Sequence, residues 1–158
     1  LDQKPFLSEA TRELFLVRLE SLGISRERVE LTCSDPHWDA YKSIDITLDC
    51  WPHNAGTTTL ESLWMGVPVL SKVDRPSVGC VGAYILNPLG LDEWVVNDEA
   101  AYVEKAVAMA SDILALAKLR RELRQLMAES PILDGARSIR NIESAYFGMI
   151  EQLGTLAK

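Results

Sequence analysis

The chain has 158 residues, enough for one domain with a real core, and 16 Lys plus Arg against 23 Asp plus Glu leave it a net charge of −7. That balance argues against a broad nucleic-acid surface and against attraction to an anionic membrane, so any phosphate ligand must be met locally.

In chain order, Ser8 can cap a helix that runs to about Leu22 and stops at Gly23, with Leu14, Val17 and Leu22 among its apolar positions. Val29 to Cys33 reads as a short strand. Asp35 then offers a cap and Pro36 a first helical residue, which puts His37 just after a strand, at the start of a short helix. A lone histidine is also commonly a surface residue or one whose bonds are satisfied internally.

Ile44, Ile46 and Leu48 alternate with Asp45, Thr47 and Asp49, which is strand period, and the alternation ends where Pro52, Asn54 and Gly56 supply turn chemistry. Leu60, Leu63 and Trp64 follow at helical spacing, and Gly66 and Pro68 end that helix. Thr57, Thr58 and Thr59 thus stand at a helix start, where backbone N–H groups lack partners and the dipole is positive. A diphosphate could be held there by N–H groups and hydroxyls without a lysine. The plainer alternative is an ordinary capping box of Thr58 with Glu61 that binds nothing.

Val67 to Lys72 makes the next strand, Asp74 to Ser77 a turn, and Val78 to Tyr84 the start of a helix. Its glycines, Gly79 and Gly82, permit close backbone approach, for which close packing is the default explanation. Glu93 to Val96 reads as one more strand. Asn97 or Asp98 then caps a helix to about Ala110 whose apolar face is Tyr102, Val103, Ala106 and Val107. From Asp112 to about Ala128, Leu116, Leu119, Leu123 and Leu126 oppose Lys118, Arg120, Arg121 and Arg124, a basic face most simply read as solvated. Ser130-Pro131 interrupts, and Asp134 to about Leu153 forms a last amphipathic helix, with Ile139, Ile142, Tyr146, Phe147 and Ile150 expected to pack back on the domain.

Alternating strands and helices imply βαβ units, an α/β fold and a parallel sheet. Ligands of such sheets bind beyond the carboxyl ends of the strands, so the Asp35–His37, Trp51–Thr58 and Asp74–Gly79 loops are expected on one rim. Cys33, Cys50 and Cys80 are odd in number and widely spaced, which suggests neither a disulfide framework nor a zinc site and fits a reducing cytoplasm. No apolar run approaches membrane-spanning length and no signal-peptide layout opens the chain; without an initiator methionine, it reads as a piece of a longer protein.

Over nearly its whole length the chain resembles the C-terminal part of the catalytic region of the O-linked N-acetylglucosamine transferases and the Spindly-type protein O-fucosyltransferases. The residues that carry the resemblance are Asp45-Ile46-Thr47-Leu48-Asp49 and the ordered block from Asn54-Ala55-Gly56-Thr57-Thr58-Thr59 through Leu63-Trp64-Met65-Gly66-Val67-Pro68. Val81-Gly82-Ala83, Asn97 to Tyr102 and Ser130-Pro131 add weaker support.

The resemblance implies a Rossmann-like C-terminal lobe of a two-lobed B-type glycosyltransferase, partial and followed by C-terminal helices, with residues 1–158 forming a nucleotide-sugar-binding lobe whose N-terminal lobe lies elsewhere in the polypeptide. By the same resemblance Gly56, Thr57 and Thr58 hold the diphosphate, Glu61 takes the ribose hydroxyls, His37 lies against the base and Asn54 lines the sugar side of the loop. Gly56 stands where the animal N-acetylglucosamine enzymes carry a histidine, and the Ala-Gly-Thr-Thr-Thr wording is closer to the Spindly-type branch.

The implied function is transfer of a sugar from UDP-N-acetylglucosamine to Ser or Thr hydroxyls of intracellular proteins. GDP-fucose is the alternative donor. No metal or other cofactor is expected, nor a nucleic-acid or membrane partner; the partners are a UDP-sugar or GDP-sugar, a protein acceptor and the N-terminal lobe. A non-catalytic nucleotide-binding module is the rival class, and an unrelated doubly wound regulatory domain a third.

Overall fold

Apolar and β-branched residues at three short stretches build a parallel sheet in the computed structural model of the chain, which describes residues 1–156. These residues fall into two compact units, Leu1–Asp45 and a second that begins at Ile46.

In the first unit, a 3-10 turn at Lys4–Leu7 leads into helix α1, Glu9–Ser21. Ser8 Oγ accepts the Thr11 N–H at 3.4 Å and Gly23 leaves the helix at φ +83°, the cap and the stop that the sequence signals. Phe6 is buried with its ring edge-on to Phe15 at 5.4 Å. The strand expected at Val29–Cys33 is reduced to one bridge, Thr32 with Asp2. Its N-terminal partner turns into 3-10 geometry at Lys4 and Pro5 has no N–H, so no ladder can extend. A 3-10 helix spans His37–Lys42; Pro36, at ψ 149°, caps it from outside instead of opening it, and no side chain caps it.

The second unit runs β1 Thr47–Leu48, α2 Thr57–Trp64, β2 Val69–Lys72, α3 Val81–Leu86, β3 Val95–Val96, α4 Glu99–Ser111, α5 Ile113–Glu129 and α6 Gly135–Leu156. Strand order is β1-β2-β3, all parallel, with Thr47 opposite Val69 and Ser71 opposite Val95. Two βαβ units result, as the alternation predicts. All four residues of central β2 are buried. Leu63, Leu70, Leu86, Trp94, Leu123 and Met127 are core members; α2, α3 and α4 pack on β2, and α5 closes the core by packing on α2 and α4. Asp98 and Asp112 cap α4 and α5, accepting the Ala101 and Ala115 N–H groups at 2.8 and 3.0 Å.

Three facing assignments differ from the sequence pattern. At the end of β1, Leu48 is 59% exposed and Asp49 only 4%, because the chain turns there and the Asp49 carboxylate is drawn inward by three donors. On α4, Tyr102 is buried while Val103 and Val107 are exposed. On α6, Ile139, Ile142, Tyr146, Phe147 and Ile150 are all exposed and none joins the core. Periodicity specifies that a helix has an apolar face; it does not specify what covers it.

Candidate functional site

β1 ends at Leu48, and the residues from Asp49 to Gly56 form a loop over the carboxyl edge of the sheet before α2 starts. One oxygen of Asp49 accepts the N–H of Cys50 at 2.9 Å and of Ala55 at 2.8 Å; the other accepts the Ser71 hydroxyl of β2 at 2.7 Å. Asn54 is 2% exposed. Its amide donates to the Cys50 and Lys72 carbonyls at 2.9 and 3.2 Å, and its oxygen accepts the Gly82 N–H at 3.4 Å. Both ends of the Asn54 side chain are thus engaged with protein.

Gly56 is the N-cap residue of α2, with no side-chain cap bond. The capping box read from Thr58 and Glu61 does not form, because the helix begins two residues earlier than that box requires, with Gly56 and not Thr58 at the N-cap. Thr57 and Thr58 are exposed and Thr59 is buried. The Thr59 hydroxyl donates back to the Ala55 carbonyl at 2.8 Å, which points it along the helix and leaves the first two threonines to face outward. Glu61, half-buried, lies one turn beyond Thr57 on the same helix face.

The next rim loop meets this one. The Asn54 N–H donates to the Val78 carbonyl at 3.0 Å, and a Cβ added at Gly79 would lie 2.8 Å from Asp74 Cβ and 2.9 Å from the Pro52 carbonyl. At Gly82 an added Cβ would stand 2.0 Å from Ser71 Oγ. Close packing is therefore the reason for both glycines. The Trp51–Thr58 and Asp74–Gly79 loops come together at the carboxyl end of β2; His37, exposed and 4.1 Å ring to ring from Trp38, belongs to the first unit.

Charge and aromatic groups flank the loop. Lys72 Nζ lies 3.1 Å from the Asp74 carboxylate and 5.1 Å from the centre of the Trp51 ring, which in turn meets Tyr102 edge-on at 4.9 Å. The Arg75 N–H, and then the Lys72 ammonium, hold the Asp74 carboxyl below its ordinary range. The Tyr102 hydroxyl donates to the Asp49 carbonyl at 2.8 Å, and burial, reinforced by Asp49 and Cys50, holds that phenol above its usual range. Among the described residues no group of three or more His, Cys, Asp or Glu is placed to hold a metal ion, and no helix is long and apolar enough to cross a membrane.

The family model described as glycosyl transferase family 41 matches residues 10–142. The chain belongs to glycosyl transferase family 41. It is 43% identical over 150 residues to a protein of Solanum lycopersicum named "Probable UDP-N-acetylglucosamine--peptide N-acetylglucosaminyltransferase SPINDLY", covering 92% of this chain and 16% of that one. The SPINDLY relative of Arabidopsis thaliana is 41% identical with the same coverage, and the Arabidopsis relative named SEC is 34% identical over 107 residues, 66% of this chain and 11% of that one. Among solved structures, a mutant O-GlcNAc transferase of Thermobaculum terrenum superposes with a TM-score of 0.86 at 29% identity, over 97% of this chain and 30% of that one. The family 41 member described here therefore has the fold of the part of that O-GlcNAc transferase that it covers, in a chain that spans about a sixth of the length of its SPINDLY relatives, 16% of the tomato protein.

Sequence reading missed Asp49, Ser71 and Tyr102 at this site. The signal for Asp49 was present but misassigned, since an aspartate on the polar side of a strand pattern reads as solvent-facing. Ser71 carried no local signal, and Tyr102 was marked only as part of an apolar helix face and of the Asn97–Tyr102 stretch: each reaches the loop only through the packing of β2 and α4.

Proposed function

We propose that this lobe binds the nucleotide sugar of a protein O-glycosyltransferase, with UDP-N-acetylglucosamine as donor and Ser or Thr hydroxyls of intracellular proteins as acceptors. The observation that carries the reading is the start of α2: a helix N-terminus at a sheet's carboxyl rim, unclaimed by a capping side chain, with Thr57 and Thr58 exposed beside it. The N–H groups from Gly56 to Thr58 and the two hydroxyls hold the diphosphate, and Glu61 takes the ribose hydroxyls. The resemblance assigns the base to His37. Asn54 braces the loop from within, and its amide is committed to that task.

In the transfer, the acceptor hydroxyl oxygen bonds to the anomeric carbon as the bond from that carbon to the phosphate oxygen breaks, with inversion; the electron pair leaves on the nucleoside diphosphate, and the hydroxyl proton passes to a base or to that departing diphosphate. Charge then grows on the departing phosphate, where the helix dipole and fixed donors act without rearranging. No metal enters this scheme. An N-terminal lobe of the same polypeptide supplies the acceptor side; the much greater length of the relatives supports it.

Titration calorimetry with UDP, UDP-N-acetylglucosamine, GDP and GDP-fucose tests the reading. Thr57→Val or Thr58→Val weakens nucleoside diphosphate binding about tenfold to a hundredfold, a hydrogen bond to a charged group being worth roughly 1.5–3 kcal/mol. Exclusive preference for GDP would move the donor to GDP-fucose, and binding indifferent to both substitutions would leave a module that holds nucleotide elsewhere.

A further inference from the structure

Asp49 is a nearly buried carboxylate, 4% exposed, that no assignment above gives a part in function. We propose that Asp49 is the positioning residue of the diphosphate seat: it fixes where the Gly56–Thr58 amides point without touching the donor. The inference rests on the nucleotide-sugar reading.

The geometry is a closed ring of bonds. By accepting Cys50 N–H at 2.9 Å and Ala55 N–H at 2.8 Å on one oxygen, Asp49, the first residue after β1, ties its own successor to the last residue before the N-cap of α2. Ala55 is also held through its carbonyl, by the Thr59 hydroxyl at 2.8 Å, so both peptide groups flanking it are fixed, and Gly56 departs from a set point in a set direction. The second oxygen is tied to Ser71 of β2 at 2.7 Å, and the Asp49 carbonyl to the Tyr102 hydroxyl at 2.8 Å, which couples the ring to the most buried strand of the sheet. There is no space to rearrange behind it: the α-carbon of Gly82 already approaches so closely that an added Cβ would lie 3.0 Å from the same carboxylate oxygen.

A glycine at the N-cap has more accessible backbone conformations than any other residue, so an amide seat that begins at Gly56 needs its direction imposed from outside. Binding is lost when a donor is misdirected by a fraction of its bond length, because hydrogen bonds weaken steeply off axis. What the seat needs from position 49 is one oxygen with two acceptor directions and a second atom that can bond a hydroxyl. Asparagine meets that need, with its oxygen toward the amides and its nitrogen toward Ser71 Oγ; alanine does not.

The test is calorimetry with UDP and GDP, each against its own nucleoside, on the parent chain, Asp49→Asn and Asp49→Ala, with folding checked by circular dichroism. Asp49→Ala is expected to weaken the preferred diphosphate about tenfold to a hundredfold while leaving its nucleoside unchanged, and Asp49→Asn to restore the parent's affinity. A merely structural role would lower the melting temperature and move diphosphate and nucleoside together; that result, or a folded Asp49→Ala variant with parental diphosphate affinity, overturns the proposal. Where Asp49→Ala does not fold, Ser71→Ala removes only the anchor of the second oxygen, and a loss confined to the diphosphate supports the proposal while an equal or absent loss overturns it. A parent chain that binds diphosphate no better than nucleoside fails before any substitution is made, which removes the nucleotide-sugar reading and this inference with it.

Discussion

Gly82→Ala is the substitution whose cost the structure specifies most closely. An ideal Cβ there would sit 2.0 Å from Ser71 Oγ, 2.6 Å from Ser71 Cβ and 3.0 Å from an Asp49 oxygen. Ser71 is 1% exposed on β2 and paired in register with Val95, so its Cβ has nowhere to go. Either α3 lifts from the sheet or the Ser71 hydroxyl rotates off Asp49. Overpacking of this kind costs about 1–3 kcal/mol. Leaving a buried carboxylate oxygen without its donor costs about 1–3 kcal/mol more. The expected loss is about 3 kcal/mol, a fall of about 1–3 M in urea midpoint at the slopes of small domains. Ser71→Ala cannot relieve the clash, since the Cβ contact stays; Ser71→Gly can, and the double variant should recover at least about 1 kcal/mol relative to the sum of the single losses. Gly135→Ala, at the open start of α6, is the control and changes stability by less than about 1 kcal/mol. A Gly82→Ala chain within about 0.5 kcal/mol of its parent in urea denaturation would refute the packing described here.

Other expectations are as direct. Leu123→Ala, at a fully buried core position, lowers unfolding free energy by about 2–5 kcal/mol, whereas Phe147→Ser on α6 changes it by less than about 0.5 kcal/mol; comparable losses would mean that α6 packs on the core after all. The folded state raises the Tyr102 phenol above its unfolded value of 10.0, so it keeps a proton that the unfolded chain gives up, and its contribution to stability, complete below pH 10, declines as pH rises beyond it. Tyr102→Phe removes that decline along with the bond to the Asp49 carbonyl, worth about 1 kcal/mol, and spectrophotometric titration of the phenols shows one late tyrosine fewer. An unchanged titration curve would count against the burial assigned to that ring. Asp74 is displaced the other way: its contribution is present above the unfolded value of 3.8 and is lost as pH falls through its lower folded value, which Lys72→Met should diminish in acid denaturation.

The elements legible in the sequence are those whose signals are local. The capped α1, the α2 helix with its Gly66 stop, and the aspartates before α4 and α5 are all fixed by neighbours within a turn or two, and those are where sequence pattern and structure coincide. Where the outcome depends on distant parts, the pattern failed. Val29–Cys33 has strand composition, but a strand needs a partner, and Asp2 supplies one bridge only. The α6 face has the right period, but coverage of an apolar face is decided elsewhere. Asp49 was placed on the polar side of a strand because alternation treats every carboxylate as seeking water; three donors converging on it reverse that preference. The Thr58–Glu61 pair satisfies a capping pattern that the backbone bypasses by starting the helix from Gly56. Donor and acceptor identity are further still from local chemistry, since they depend on surfaces that these two loops only partly build.

The most direct examination of the diphosphate seat is amide chemical-shift mapping of the labelled chain against UDP, GDP and their nucleosides. Only the diphosphates are expected to move the Gly56, Thr57 and Thr58 amides strongly, with Ala55 and Cys50 following through Asp49. Diphosphate-dependent shifts that spare these amides and cluster at another surface would contradict that expectation.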